Sequence, residues 1–186
     1  MAGLQQLARE IGADERTLRR AVQSGAVRAR RPSPRHLEIE SGERAYLKEF
    51  WSLLVELRRA LRTEPNVRLA VLYGSRSRGD ATADSDVDLL VVLRHDSHDA
   101  HSGLAQRLGD ALGAEIDLAF LNDVERRDPI FLSAVLDDGR VLVDRDGAWS
   151  ELEGRRQLVA RRAAAERTRR RSNLDRILAA VRDGQI

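Results

Sequence analysis

Two aspartates separated by one residue, Asp86 and Asp88, begin an apolar run and are the first residues in this sequence that predict chemistry. In a β-strand, residues i and i+2 point to the same face, so both carboxylates are expected to face one point. Adjacent carboxylates repel each other unless a positive charge lies between them. Mg²⁺ takes oxygen ligands and keeps coordination positions open for substrate phosphates. The spacing therefore predicts a magnesium site at Asp86 and Asp88.

A Gly-Ser pair, Gly74 and Ser75, lies upstream, where an apolar run over residues 67–73 ends abruptly. Glycine lets backbone N–H groups approach a ligand closely. A helix start presents unpaired donors to an anion. The turn is therefore predicted to bind a triphosphate next to the aspartate pair.

Together these residues resemble the nucleotidyltransferase superfamily of DNA polymerase β, in particular the minimal nucleotidyltransferases of bacteria and archaea. The family motif is Gly-Ser-x-Ala-Arg-Gly, a short spacer, and Ser-Asp-x-Asp-Leu. The matching residues are Gly74, Ser75, Arg78, Gly79, Ser85, Asp86, Asp88 and Leu89. The one departure is Ser77 in place of alanine, and since both residues are small no loss of function is expected. The resemblance covers about residues 66–145.

The resemblance also implies a third carboxylate on a later strand. Asp117 fits, because it interrupts an apolar run that follows Gly113. A lone charge inside a strand core is costly unless it is paired or bound to metal. Glu115 shares the same strand face and is the competing acid, and a solvated Asp117 without a role is the plain alternative. We favour Asp117 because the family places its acid between apolar neighbours.

The implied reaction is the attack of a hydroxyl on the α-phosphate of ATP or another nucleoside triphosphate, which releases pyrophosphate. Asp86, Asp88 and Asp117 are the implied Mg²⁺ and catalytic residues. Two ions about 3.5–4 Å apart would stabilise both the attacking and the leaving oxygen. The implied phosphate-binding residues, of which the arginines would offset charge on the pyrophosphate, are Gly74, Ser75, Arg76 and Arg78.

Minimal nucleotidyltransferases often serve as antitoxins that adenylylate a HEPN-domain toxin, and others modify antibiotics or RNA. A protein partner is therefore expected beside the nucleotide. The chain shows no large C-terminal substrate domain, which weighs against RNA tailing. The alternative is a DNA-binding repressor or toxin-neutralising partner in which an inactive sheet has kept the motif.

The N-terminal segment, residues 1–40, has the outline of a winged helix-turn-helix and looks like the winged domains of bacterial transcription regulators. Apolar residues at helical spacing precede Gly12, and Asp14 is a good N-cap for a second helix that ends near Gln23. Residues 27–30 and 36–39 are predicted strands. The candidate DNA-binding residues are Arg16, Thr17, Arg19, Arg20, Arg30, Arg31 and Arg35. Docking to protein, or a purely structural use, is the alternative.

The predicted fold class is α/β (α+β): the winged segment, a connecting helix over residues 41–65, a mixed sheet with flanking helices over residues 66–147, and a basic helical segment over residues 148–186. Within the sheet domain, residues 122–128 are predicted to be a polar loop, followed by a short helix and a strand over residues 140–144. In the last segment an apolar stripe needs a surface to bury it, which favours partner docking or oligomerisation. The stripe consists of Leu174, Ile177, Leu178 and Val181.

Composition sets the outer bounds. The chain has 186 residues and a formal charge of +2, and its basic residues are nearly all arginine. It has no cysteine, which excludes disulfides, thiolate metal sites and a cysteine nucleophile. No apolar stretch approaches the length of a membrane span, and the first residues are no signal peptide, so a cytoplasmic protein is expected.

Three of the four histidines, His95, His98 and His101, alternate with aspartates after the Asp86–Asp88 strand. A metal site is conceivable there. However, the cluster is expected at the far end of that strand from Asp86. A polar loop that leads into a helix explains the composition equally well, so no metal role is assigned.

Overall fold

The computed structural model describes residues 4–33, 36–82 and 85–182. Two short helices come first: α1 (Leu4–Glu10) and α2 (Glu15–Gln23). As predicted, Asp14 caps α2, and its carboxylate accepts a hydrogen bond of 2.8 Å from the backbone N–H of Thr17. The apolar face of each helix packs into the core, where Leu7 and Leu18 are fully buried.

The predicted hairpin is present, but its first strand begins later than expected. The strands β1 (Arg30–Ser33) and β2 (His36–Glu38) pair antiparallel. Residues 27–29 do not form a strand because the chain is committed elsewhere: Val27 is buried, and the backbone N–H of Arg28 donates to the carboxylate of Glu43. The N-terminal segment is therefore tied to the rest of the molecule just before the hairpin.

The predicted connecting helix is confirmed as α3 (Ser41–Arg62). Its apolar positions recur every three or four residues, and this broad stripe is buried on both the N-terminal helices and the sheet. The buried side chains include Tyr46, Leu47, Phe50, Trp51, Leu54, Leu57 and Leu61.

A four-stranded mixed sheet forms the centre of the molecule. Its elements are β3 (Val67–Leu72), the short helix α4 (Gly74–Arg78), β4 (Val87–Leu93), α5 (His98–Leu112), β5 (Ile116–Phe120), α6 (Leu121–Arg127), α7 (Pro129–Asp138) and β6 (Arg140–Asp144). The strand order is β5-β4-β3-β6. The pairs β3–β4 and β3–β6 are antiparallel, whereas β4 and β5 run parallel through the crossover helix α5.

The sheet is covered on both faces, which explains why its central strands are apolar throughout. Alternate residues of β3 enter two different clusters of buried side chains. Ala70 and Leu72 join the N-terminal helices, α3 and α5. Leu69 and Val71 join α7 and the helices that follow β6. The N-terminal segment thus shares one continuous core with the sheet.

The predicted polar loop over residues 122–128 is wrong, because these residues form α6. Leu121 anchors this helix in the core and Val124 packs beside it, while most of the remaining side chains are exposed. A short helix with one buried turn has the same polar composition as a loop. The short helix predicted next is confirmed as α7, and Asp128 caps it by accepting the backbone N–H of Phe131.

Two helices close the described part of the chain: α8 (Ala148–Gly154) and α9 (Arg156–Arg182). The first half of α9 packs on α7 and buries Val159 and Ala163. The second half extends away from the core. Its apolar stripe is about half exposed, with Leu174 at 56% and Leu178 at 49%. Among the described residues, no helix combines the length and apolar character required to cross a membrane.

Candidate active site

The three candidate aspartates come together at one end of the sheet. Since β4 runs antiparallel to β3, it begins where β3 ends in the Gly-Ser turn. Because β5 runs parallel to β4, its first residues lie at the same end, and Asp117 is the direct register partner of Asp88. Neighbouring strands lie about 4.8 Å apart, so these two side chains emerge side by side.

The surroundings of Asp88 disfavour its negative charge. Partial burial raises the pKa of Asp88, and the charges of Asp117 and then Asp86 raise it further. The guanidinium groups of Arg78 and Arg76 act in the opposite direction. Asp117, and not the competing acid Glu115, is the register partner of Asp88, which favours Asp117 as the third carboxylate.

The burial argument that first singled out Asp117 is wrong, although its position supports the assignment. Asp117 is exposed, and it lies on the edge strand β5. Asp86 is also exposed, whereas Asp88 is only partly exposed. The site is therefore an open edge with one sheltered carboxylate.

Gly74 is held in place by its close contact with Asp88. Its φ is +70°, a left-handed conformation that side chains other than glycine rarely adopt. A Cβ atom at this position would lie 2.0 Å from the Asp88 carboxylate oxygen Oδ2. A side chain at position 74 would therefore collide with the predicted metal ligand Asp88.

The two motif arginines have different surroundings. The Arg76 guanidinium donates from Nε to the backbone oxygens of Ser85 (2.9 Å) and Asp86 (3.1 Å). It thereby holds the loop that carries Asp86. Arg78 is more open and pairs with Asp80 at 3.2 Å. Of the two, Arg78 is the side chain that remains available to a phosphate.

Behind the Gly-Ser turn, three side-chain hydrogen bonds hold α4 in place. The Tyr46 hydroxyl donates to the backbone oxygen of Arg76 at 3.0 Å. Arg140 Nε donates to the backbone oxygen of Ser77 at 2.8 Å. The fully buried hydroxyl of Ser77 donates to the backbone oxygen of Asp138 at 2.5 Å. This explains why a small residue is needed at position 77 and why serine is accepted.

Arg140 is the centre of this network and is only 1% exposed. Its guanidinium forms a two-point ion pair with Glu43, with distances of 2.5 and 2.9 Å. It also donates to the backbone oxygen of Ala26 and lies 3.5 Å from the centre of the Tyr46 ring. We call Arg140, Glu43, Tyr46 and Ser77 the Arg140 network. It joins the N-terminal segment, α3, β6 and the Gly-Ser turn.

Tyr73 lies directly before the Gly-Ser turn and was not selected from the sequence. Its ring packs edge-on against Phe131 at 4.9 Å. Burial raises the pKa of its hydroxyl, and the nearby charges of Asp117 and Asp88 raise it further. The hydroxyl therefore stays protonated at neutral pH beside two carboxylates.

The carboxylates suit Mg²⁺, although they do not form a complete protein cage. No group of three metal-ligating side chains lies close enough to hold an ion among the residues that the structure describes. Mg²⁺ is usually bound through one or two carboxylates plus substrate phosphates rather than by an all-protein cage. The carboxylate oxygens around Asp88 are suitable ligands for such an ion, and its positive charge would neutralise their repulsion.

Most candidate DNA-binding residues are exposed. Arg16, Arg19 and Arg31 lie on the surface of α2 and β1, and Arg19 pairs with Glu15 at 2.6 Å. Arg30 pairs with Glu40 at 3.4 Å.

Two further candidates differ from the others in position. Thr17 and Arg20 line a cleft against α3. Arg35 lies outside the described residues.

The histidine cluster lies at the far end of β4 from Asp86, as expected. The His101 ring stacks on Phe120 at 3.4 Å and contacts the Asp96 carboxylate, which also accepts from Asn122 at 2.9 Å. These contacts account for His101 as part of the packing around α5.

The sequence analysis missed Arg140, Glu43 and Tyr46. A signal for Arg140 was present, because it opens an otherwise apolar strand, the same argument that was applied to Asp117. Nothing local indicates Glu43 as its partner, since the two residues are separated by 97 positions.

The fold resembles several solved structures that share 23% or less of the sequence. One is a crystal structure of a toxin–antitoxin with AMP-PNP (TM-score 0.53, 23% identity, covering 67% of this chain and 98% of that chain). Another is the tri-AMPylated HEPN toxin of Shewanella oneidensis in complex with the MNT antitoxin (TM-score 0.50, 20% identity, 69% and 98%). A third is the toxin–antitoxin MntA-HepT (TM-score 0.50, 19% identity, 69% and 98%).

About a third of this chain lies outside each of these matches, and at such identities they show the fold alone. None of the curated proteins that were compared with the chain matches it. The sequence profile of the polymerase beta nucleotidyltransferases, in contrast, matches residues 56–148. This range includes the Gly-Ser turn, all three aspartates and β6. Because this profile matches half of its length, the chain belongs to the polymerase beta nucleotidyltransferase family.

Proposed function

We propose that the protein transfers a nucleoside monophosphate, AMP in the first instance, from a nucleoside triphosphate to a hydroxyl group of a protein partner, with Mg²⁺ as cofactor. The observation that carries this proposal is the contact between Asp88 and Gly74, with Asp117 beside it on the next strand. A triphosphate at the Gly-Ser turn would lie directly over these carboxylates.

The aspartates have distinct roles in the proposed reaction. Asp86 and Asp88 hold Mg²⁺, which when bound offsets the charge of the phosphates. Asp117 is exposed on the edge strand, where a partner has access, and accepts the proton of the attacking hydroxyl. The hydroxyl oxygen forms a bond to the α-phosphorus, the bond from that phosphorus to the bridging oxygen breaks, and pyrophosphate leaves.

The Gly-Ser turn and the arginines divide the binding of the triphosphate. Gly74 and Ser75 bind the β- and γ-phosphates, and Arg78 offsets the charge that develops on the pyrophosphate. Arg76 contributes by fixing the backbone at Ser85 and Asp86, through the hydrogen bonds described above.

The proposed acceptor is a HEPN-type toxin. The fold resembles toxin–antitoxin structures, one of which contains a tri-AMPylated HEPN toxin. We further propose that the stripe on α9, which includes Leu174 and Leu178, docks this partner or a second copy of the chain. The stripe is apolar and exposed, and basic residues surround it.

DNA binding by the N-terminal segment is a separate proposal, supported by the exposed arginines of α2 and β1. If Arg30, Arg31 and Arg35 contact phosphates, replacing each by glutamine should reduce the slope of log affinity against log salt by about one. An unchanged slope would remove these residues from any DNA interface. A protein that binds DNA but transfers no nucleotide would support the alternative function, a regulator with an inactive sheet.

The transfer reaction is tested with α-labelled ATP and Mg²⁺, using the protein with a co-purified partner. Label on the partner is expected, and it should be absent when Mg²⁺ is chelated. Gly74→Val should abolish transfer, whereas Ser75→Ala should weaken it about tenfold, because alanine keeps the backbone N–H and loses one hydroxyl.

Gly113→Val is the matched control for Gly74→Val. Gly113 has a similar φ of +62°, but nothing lies within 4 Å of its added Cβ. This variant reproduces the backbone strain without the collision with Asp88. If Gly74→Val transfers label as well as Gly113→Val does, the Gly-Ser turn is not the phosphate site.

A further inference from the structure

A second cleft lies away from the candidate active site. It has a volume of about 400 Å³, within the usual range for ligand pockets, and we call it the α2–α3 cleft. Its walls are α2 and the C-terminal half of α3, and β6 forms its floor from Leu142 to Asp144. The strand β6 is the edge of the sheet opposite β5, and Asp144 pairs with Leu69 near the far end of β3 from the Gly-Ser turn.

Three arginines converge on this cleft without a carboxylate partner. Within the described ranges, no acidic group lies within ion-pair distance of Arg20, Arg58 or Arg62. Arg58 donates only to the neutral hydroxyl of Ser24, at 2.9 Å. The one carboxylate in the lining, Asp144, is engaged through Oδ1 with backbone N–H groups at the start of α8.

The positive charges in the cleft are unfavourable for each other. Burial lowers the pKa of the Arg58 guanidinium, and the charge of Arg62 lowers it further. These two residues are four positions apart on one helix face, where like charges destabilise the helix. Elsewhere the protein pairs its fully buried arginine, Arg140, with the carboxylate of Glu43, and even the exposed Arg107 pairs with Glu64 at 2.8 Å. An anion in the cleft would remove the imbalance, and guanidinium groups match phosphate oxygens with paired hydrogen bonds.

The remaining surface of the cleft is apolar. The Trp51 indole and the side chains of Leu54, Val55 and Leu142 line it beside the arginines. Val55 is 39% exposed and Trp51 9%, whereas Leu54 and Leu142 are buried. A phosphate alone would leave the accessible apolar surface at Val55 and Trp51 uncovered, whereas the base and sugar of a nucleotide would cover it.

We propose that the α2–α3 cleft is a binding site for the phosphates of a nucleotide, separate from the candidate active site. Arg58 and Arg62 bind the phosphates, Arg20 closes the cleft from α2, and Trp51 contributes to the apolar wall. This assignment does not depend on the proposed transfer reaction, because none of these residues belongs to the Gly-Ser turn or the aspartate group.

Tryptophan fluorescence tests the proposal, since the chain contains only two tryptophans. In the full-length variant Trp149→Phe/Asp88→Asn, Trp51 is the sole reporter and the candidate active site is impaired. ATP and inorganic pyrophosphate are titrated in the presence of a chelator. A saturable change in Trp51 emission is expected with ATP, and pyrophosphate should bind about tenfold more weakly because it leaves the apolar wall uncovered.

Arg58→Gln and Arg62→Gln, added singly to this background, should each weaken ATP binding about tenfold, the effect of losing a charge-assisted hydrogen bond. Arg62 is exposed, so its variant retains the fold. Arg59→Gln is the matched control, because Arg59 is an exposed neighbour on α3 that does not line the cleft. The ATP affinity of the Arg59→Gln variant should equal that of the parent variant.

Three results would overturn the proposal. The first is no saturable change with ATP at millimolar concentration. The second is equal affinity of the Arg58→Gln, Arg62→Gln and Arg59→Gln variants, which would place the ligand elsewhere. The third is a Trp51 response to duplex DNA but not to ATP, which would make the cleft part of a nucleic-acid interface.

Discussion

Arginine is buried in the Arg140 network and mostly exposed on helix α9. Arg140 is 1% exposed, and its guanidinium reaches a carboxylate, two backbone oxygens and an aromatic ring. Helix α9 carries nine arginines, and all except Arg156 are exposed. Several of them pair with acids on the surface, such as Arg169 with Glu166 at 2.8 Å.

The difference shows that the partners of an arginine decide its role, and not its charge alone. In the Arg140 network one side chain connects four elements. Because the guanidinium and its carboxylate partner are both buried, water cannot replace their contacts if one of them is removed. On α9, an exposed arginine that loses its surface ion pair is hydrated by solvent instead, at little cost in free energy. The first region should therefore control folding and the shape of the Gly-Ser turn, whereas the second should control only what binds to the surface.

The largest effect is expected from Arg140→Met. This change leaves the Glu43 carboxylate buried and unpaired, which typically costs about 3–5 kcal/mol. Urea unfolding followed by circular dichroism measures the loss. Arg167→Met on α9 is the matched control and should change the unfolding free energy by less than about 0.5 kcal/mol.

A double variant, Arg140→Met/Glu43→Leu, sharpens the test of the network. It removes both charges, so it should regain much of the stability that Arg140→Met loses. Nucleotide transfer should be reduced in both variants, because each has lost the hydrogen bond from Arg140 to the backbone oxygen of Ser77. Equal stability of the single and double variants would show that the ion pair is not the reason for the loss.

Asp88→Asn tests the opposite electrostatic case, because Asp88 is a partly buried charge with neighbours of the same sign. Transfer should fall roughly 100-fold or more, the effect of removing one group that stabilises charge in an active site. Stability in the absence of metal should rise at neutral pH. Because the pKa of Asp88 is raised in the folded state, the folded wild type binds this proton more tightly than the unfolded chain, so its stability falls as pH rises through that range.

The pH dependence of melting temperature checks this sign. Wild type and Asp88→Asn should be equally stable at acidic pH, where Asp88 is protonated in both states. The variant should become the more stable of the two as pH increases to neutral. A difference in the opposite direction would mean that a positive group dominates the surroundings of Asp88.

Tyr46→Phe should have a smaller effect, a loss of about 1 kcal/mol. The change removes the hydrogen bond to the backbone oxygen of Arg76 but keeps the ring that Arg140 stacks on. Thr168→Ala on α9 is the control, because its exposed hydroxyl also donates to a backbone oxygen, that of Ala164. Equal losses in the two variants would remove the distinction between the two regions.

The smallest effect on stability is expected from Ile177→Gln/Leu178→Gln. Both side chains are about half exposed, so unfolding in urea should change by less than about 0.5 kcal/mol. Partner binding or self-association, measured by analytical ultracentrifugation, should be lost. If the isolated protein is clearly destabilised, the stripe is already buried in a self-associated form.

Local patterns gave correct predictions where a few neighbouring residues decide the outcome. The N-cap at Asp14, the long amphipathic helix α3 and the Gly-Ser turn before the Asp86–Asp88 strand are examples. Each depends on capping, helical periodicity or strand alternation, which act over a few residues. The polar composition of α6 was misinterpreted because a short, mostly exposed helix and a loop have the same residue types.

The sequence by itself determined the aspartate pair, the Gly-Ser turn and the family, since these are encoded in one short stretch. Only the tertiary structure decided that Asp117 lies beside Asp88, because this depends on the register between two strands connected by α5. The partner of Arg140 and the unpaired arginines of the α2–α3 cleft were likewise decided by packing between distant elements. Whether a charge is paired, crowded or free depends on which elements meet, and no local pattern contains that information.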